Sequence, residues 1–87
     1  MYRTGHGRNR NPVLLTAPVH TVADVAGAIS VAVFGPERPA PRNLDGLADL
    51  LREARPARVV ACDWHLPADE TRKVAAIFRD NRVELVR

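Results

Sequence analysis

Arg58-Val59-Val60-Ala61-Cys62-Asp63-Trp64 is an apolar run that opens on a cation and closes on an acid and a tryptophan. Its β-branched residues predict a strand buried in a sheet. His65-Leu66-Pro67-Ala68 turns the chain out of that strand. A helix is expected over 69–80. Val74, Ile77 and Phe78 form its inner face, and Asp69 and Glu70 sit at its electropositive start. Asn81 closes it. Arg82-Val83-Glu84-Leu85-Val86-Arg87 then alternates, which predicts a last strand at a sheet edge. Strand, helix and strand without a hairpin turn require a parallel pair joined by a right-handed crossover.

Upstream the same grammar holds. Val13-Leu14-Leu15-Thr16-Ala17, between Pro12 and Pro18, predicts a short buried strand. Thr21 with Asp24 three residues later is a capping box with Asp in the usual Glu place. Val22, Val25, Ile29 and Val33 then share a helical face. The β-branched end, 29–34, also admits a strand, and helix through Val33 is the preferred reading. Gly35-Pro36 stops it. Pro36, Pro39 and Pro41 make 35–42 an extended loop. Asn43 caps a further helix whose apolar face is Leu44, Leu47, Leu50 and Leu51. Arg55-Pro56 ends it. The order is β-α-α-β-α-β: an α/β domain with a three-stranded parallel sheet and flanking helices over 13–87. Residues 1–12 read as a flexible basic arm. The expected core is Leu14, Val25, Ile29, Leu44, Leu47, Leu51, Val60, Trp64, Ile77, Phe78, Val83 and Leu85.

Charge and composition exclude several function classes. The chain has 87 residues, which allows one small domain. Thirteen Lys+Arg stand against ten Asp+Glu. Arg3, Arg8 and Arg10 account for the excess, and the rest of the chain is balanced. A nucleic-acid-binding domain wants its cations clustered on a folded surface, which this distribution does not offer. Cys62 is a single cysteine, so no intramolecular disulfide forms, and a reducing, cytoplasmic setting is expected. The longest apolar stretch, 22–34, is interrupted by Asp24 and is too short to cross a bilayer, so no membrane association is expected. No apolar core of a signal peptide follows the basic start.

Catalytic constellations do not emerge. No glycine-rich phosphate loop is present. Cys62 lies in the expected buried strand and reads as a structural thiol. Asp63 and His65, two apart on a strand, share a side, but two ligands rarely hold a metal. His6 and His20 have no evident partners. The chain reads as a non-enzyme, and no cofactor or metal is implied.

The remaining feature is Asn43-Leu44-Asp45-Gly46-Leu47-Ala48-Asp49-Leu50-Leu51. Asp45 and Asp49 stand one turn apart near a helix start. Arg42 can meet Asp45, and Arg52 can meet Asp49. A solvated helix face explains the acids on composition alone. The alternative is an acidic ridge that docks into a cationic cleft, its carboxylates standing in for phosphates.

Asn43-Leu44-Asp45-x-Leu47-x-Asp49-x-Leu51 resembles the inhibitory helix of the barstar family, intracellular inhibitors of microbial ribonucleases. Thr21-Val22-x-Asp24-Val25 resembles that family's first helix start, and Pro36-Glu37 its inhibitory loop. Val59 to Trp64 resembles its central strand. Val74-x-x-Ile77-Phe78-Arg79-Asp80 resembles its last helix. The resemblance spans residues 13–87 in order. It implies a proteinaceous inhibitor or immunity protein that blocks a microbial ribonuclease or related nuclease toxin. Asp49 would plug the phosphate-binding centre and Asp45 would pair with a neighbouring cation. Asn43 would cap the helix and touch the rim, and Asp80 would add a peripheral salt bridge. Gly46, Arg38, Arg42 and Arg52 complete the expected partner-binding set.

Departures from the family pattern fall around the acids and between Trp64 and Phe78, where the chain is shorter and one family helix is trimmed to the turn at His65–Ala68. The loop reads Arg38-Pro39-Ala40-Pro41-Arg42 where the family commonly has tyrosines and a glycine. Ala48 stands where an aromatic is common, and the aromatic after the helix is missing near Ala54. Arg38, Arg42 and Arg52 suit a nuclease with a less uniformly basic site. They also suit a second use of the fold: an interaction or regulatory module without a nuclease target, in which Arg-flanked acids pair between the copies of a homodimer.

Overall fold

The structure is a computed structural model that describes residues 12–87. The expected basic arm falls almost wholly outside the described residues. The elements are β1 (Val13–Leu15), α1 (Val22–Phe34), α2 (Leu44–Ala54), β2 (Arg58–Ala61), α3 (Ala68–Asp80) and β3 (Glu84–Val86). They form a three-stranded parallel sheet in the order β1-β2-β3. The β-α-α-β-α-β reading is therefore observed.

Strand order decides where the helices go. Both crossovers step across the sheet in the same direction, so right-handedness puts every helix on one face. Val13 and Leu15 of β1 and Val59 and Ala61 of β2 point into that helical layer and are buried. Ile29, Leu47, Leu51, Val74 and Phe78 meet them from the helices and are sealed from solvent.

Leu14, Val60 and Val86 lie on the opposite face, in one register row across the three strands. Leu14 is 59% exposed. The expected core placed Leu14 and Val60 inside, and the structure corrects both. Successive strand residues alternate faces, so one step in phase exchanges core for surface. Leu44, Trp64, Ile77 and Leu85 are half-buried against the core, and the other six expected core residues are buried.

Strand ends also move. β1 stops at Leu15 rather than Ala17, ahead of Pro18, which has no N–H to give a ladder. β2 stops at Ala61, and pairing resumes only as the isolated bridge Val19–Trp64. Cys62 therefore sits beyond the strand and is exposed, not buried. β3 starts at Glu84 because Arg82 takes φ 59° and turns the chain.

The helix starts follow the sequence. Thr21 Oγ1 accepts from Asp24 N at 3.0 Å, and Asp24 Oδ2 accepts from His20 N at 2.9 Å and Thr21 N at 3.3 Å. These backbone donors, His20 first, hold the Asp24 carboxyl below its ordinary value. α1 continues to Phe34, so its β-branched end is helix rather than strand. Gly35 ends it at φ 91°. Trp64 Nε1 donates to Thr71 Oγ1 at 2.8 Å, which fastens the 65–68 turn to α3. No described helix is long and apolar enough to cross a membrane.

Candidate functional site

α2 carries the acidic face, and its leucines fix which way that face points. Leu47, Leu50 and Leu51 are buried. Burial of a leucine is worth about 1.5–3 kcal/mol, so rotating the helix would forfeit several kcal/mol. Asp45 and Asp49 are accordingly held outward, and both are exposed. Glu53 extends the same row, since 45, 49 and 53 follow an i, i+4, i+8 spacing. Reading the sequence for paired aspartates missed this third carboxylate, although its spacing was visible.

Asn43 is the cap. Its Oδ1 accepts from Gly46 N at 2.7 Å, and Leu47 N donates to Asn43 O at 3.0 Å. This satisfies donors that a helix start otherwise leaves open. Asn43 thus orients the first turn that carries Asp45.

The loop before α2 folds back along it. Arg38 Nη2 donates to Glu53 Oε1 at 2.6 Å. The Arg38 guanidinium also lies 4.1 Å from the centroid of the Phe34 ring. Hydrogen bonding to Arg38 holds the Glu53 carboxyl below its ordinary value, and the same bond raises Arg38. Pro41 presses against Gly46 so closely that a side-chain carbon at Gly46 would collide with it. Glycine inside this helix therefore serves close approach of the loop.

The eight expected binding residues do not form one cluster. Arg38, Gly46 and Asp49 line a shallow cleft with Pro41, Leu50 and Glu53. Asp49 accepts from Arg52 Nη1 at 3.0 Å, as the spacing allowed. Both side chains stay exposed, at 73% and 63%, so water screens the pair and a partner can exchange it. Asp45 and Arg42 make no ion pair with each other or with any described residue. Arg52 also lines a second cleft at the C-terminal end of α2, and Asp80 stands there, away from the loop.

No protein-family model matches the chain, and no curated protein or solved structure matches it either.

Elsewhere, His20 does have a partner. Its ring stacks on His65, with centroids 4.6 Å apart and planes 14° from parallel. His65 Nε2 pairs with Asp63 Oδ1. Among the described residues no three His, Cys, Asp or Glu side chains are grouped closely enough to hold a metal ion. The acidic face suits recognition by charge and hydrogen bonding: outward carboxylates on a capped helix, beside a loop tied to that helix.

Proposed function

We propose that this chain is a barstar-type inhibitor, an immunity protein that binds a microbial ribonuclease or related nuclease toxin inside the producing cell. The acidic face of α2 enters the nuclease's cationic cleft. Asp49 exchanges Arg52 for a nuclease cation, and Asp45, without an ion-pair partner among the described residues, meets a second. Presentation of Asp45 and Asp49, outward on a helix whose cap and leucines fix its orientation, carries this reading. Preorganised acceptors spend little ordering entropy on binding. The three-stranded parallel sheet with flanking helices is the architecture the resemblance implies, with one family helix reduced to the turn at 65–68, and this supports the reading at the level of fold. Charges so arranged steer encounter and set specificity. Calorimetric titration into guanyl-specific microbial ribonucleases, with ribonuclease activity followed in parallel, tests it. Saturable binding with loss of activity is expected.

A second reading rests on the arginines. Arg38 and Arg52 alternate with Asp49 and Glu53 on one exposed surface, so the face is self-complementary in charge. In a homodimer these pairs would exchange between copies. Sedimentation separates the readings: a stable dimer that hides Asp45 and Asp49 favours the second.

A further inference from the structure

An open cleft of about 530 Å³ lies where α2 and α3 end and the segments leading into β2 and β3 begin. Arg52, Arg55 and Arg82 line it, together with Pro56, Asp80 and Asn81. Two of these arginines hold a backbone conformation that arginine rarely adopts. Arg55 has φ 49° and ψ 50°, and Arg82 has φ 59°. They are the non-glycine residues with positive φ among the described residues.

The left-handed region brings Cβ against the backbone, a cost that glycine escapes. Arg55 closes α2 by donating its N–H to Leu51 O at 2.9 Å, a position where glycine is common. Arg82 makes the turn from α3 to β3. The chain thus carries a guanidinium at two places that glycine would fold more easily, and both line one cleft. Strained residues that converge are a pointer to use.

The helix ends do not consume these cations. At α3 the carbonyls of Ile77, Phe78 and Arg79 accept backbone N–H groups from Asn81, Arg82 and Val83. At α2, Arg55 gives its Nε to Arg52 O at 3.3 Å, and its other side-chain nitrogens bond no described residue. The Arg82 side chain has no ion pair among the described residues. Asp49 balances Arg52, and Asp80 opposes Arg55 and Arg82, which leaves one formal positive charge facing the partly negative C-terminal ends of α2 and α3.

We propose that this cleft binds a phosphate monoester of a small hydroxylated molecule, a sugar phosphate or a nucleoside monophosphate. Guanidinium forks match phosphate oxygens two at a time, so Arg55 and Arg82 grip the phosphate. Asp80 and the Oδ1 of Asn81, whose Nδ2 donates to Ile77 O at 2.9 Å, accept from the ligand's hydroxyls. The cleft volume lies within the range of small-molecule sites. Arg55 and Arg82 lie outside the acidic face of α2, which the cleft meets through Arg52, the partner of Asp49.

Titration of the full chain with ribose 5-phosphate, AMP and a single-stranded RNA oligonucleotide at low ionic strength tests the proposal. Arg55→Gly and Arg82→Gly are the controls, because glycine suits both backbone positions and leaves the fold intact. Saturable binding of a small phosphate is expected, weakened about tenfold or more in each variant, with Tm unchanged or raised. Equal binding of the two small ligands assigns a sugar phosphate, and preference for AMP assigns a nucleotide. Absence of saturable binding, binding that survives in both variants, or binding confined to the oligonucleotide overturns the proposal.

Discussion

Arg38 and Glu53, fifteen residues apart, join the proline loop to the last turn of α2 through a 2.6 Å ion pair. Three prolines narrow the loop's backbone freedom, and this pair fixes where its middle rests. The neighbouring acidic face is therefore framed by a loop that holds one position.

The pair gives the loop a pH dependence. Glu53 is held below its ordinary value, so it binds protons less readily folded than unfolded. Its contribution is complete above the unfolded value and is lost as pH falls through the lower, folded one. The NMR chemical shifts of Glu37, Arg38, Ala40 and Arg42 should move toward disordered values as pH drops below 4.5, the ordinary glutamate value. Glu53→Gln should show those shifts already at neutral pH. Identical loop shifts in variant and parent at neutral pH would mean the pair does not hold the loop.

Gly46→Ala runs against propensity. Alanine favours a helix interior over glycine by about 1 kcal/mol. Here the added carbon meets Pro41 Cβ and lies 3.2 Å from Asn43 Oδ1, the cap acceptor. The variant should lose about 1–3 kcal/mol in chemical denaturation, as overpacked sites do. Adding Pro41→Gly should return part of that loss. A stabilised single variant would show that the loop does not rest on this helix.

Ser30 Oγ is buried in α1 without a hydrogen-bond partner among the described residues. An unpaired buried hydroxyl carries its desolvation cost uncompensated. Ser30→Ala should raise stability by about 1 kcal/mol, read from the urea midpoint at constant slope. A fall of similar size would reveal a partner for that hydroxyl.

Leu14 and Leu15 are adjacent, chemically alike and opposite in role. Leu15→Ala should cost about 2–5 kcal/mol, as buried leucines do, while Leu14→Ser should change stability by about 0.5 kcal/mol or less. Comparable losses would contradict the observed strand phase.

That pair also marks where the sequence was readable. α2 was legible because its leucines and acids fall on opposite sides of a 3.6-residue period, and Asn43 announces its start. Val13-Leu14-Leu15 has no polar residue to mark its outer side, so its phase stayed hidden. In β2 a mark existed: exposed Arg58 shares parity with Val60 and assigns Val60 outward. Glu53 was reachable from the acid spacing. The Arg55–Arg82 cleft was not, because left-handed backbone is usually signalled by glycine or asparagine, and arginine stands at both places. Packing of Pro41 on Gly46 is tertiary and left only an unexplained glycine in a helix.

Calorimetric titration of the parent chain and of Asp49→Ala into a guanyl-specific microbial ribonuclease decides whether the acidic face of α2 inhibits such an enzyme. Saturable, inhibitory binding by the parent is expected, weakened at least thirtyfold in Asp49→Ala, the loss of about 2 kcal/mol or more that removing a central interface residue brings. Unchanged affinity in Asp49→Ala, or no binding by the parent to any ribonuclease tested, would contradict the inhibitor reading.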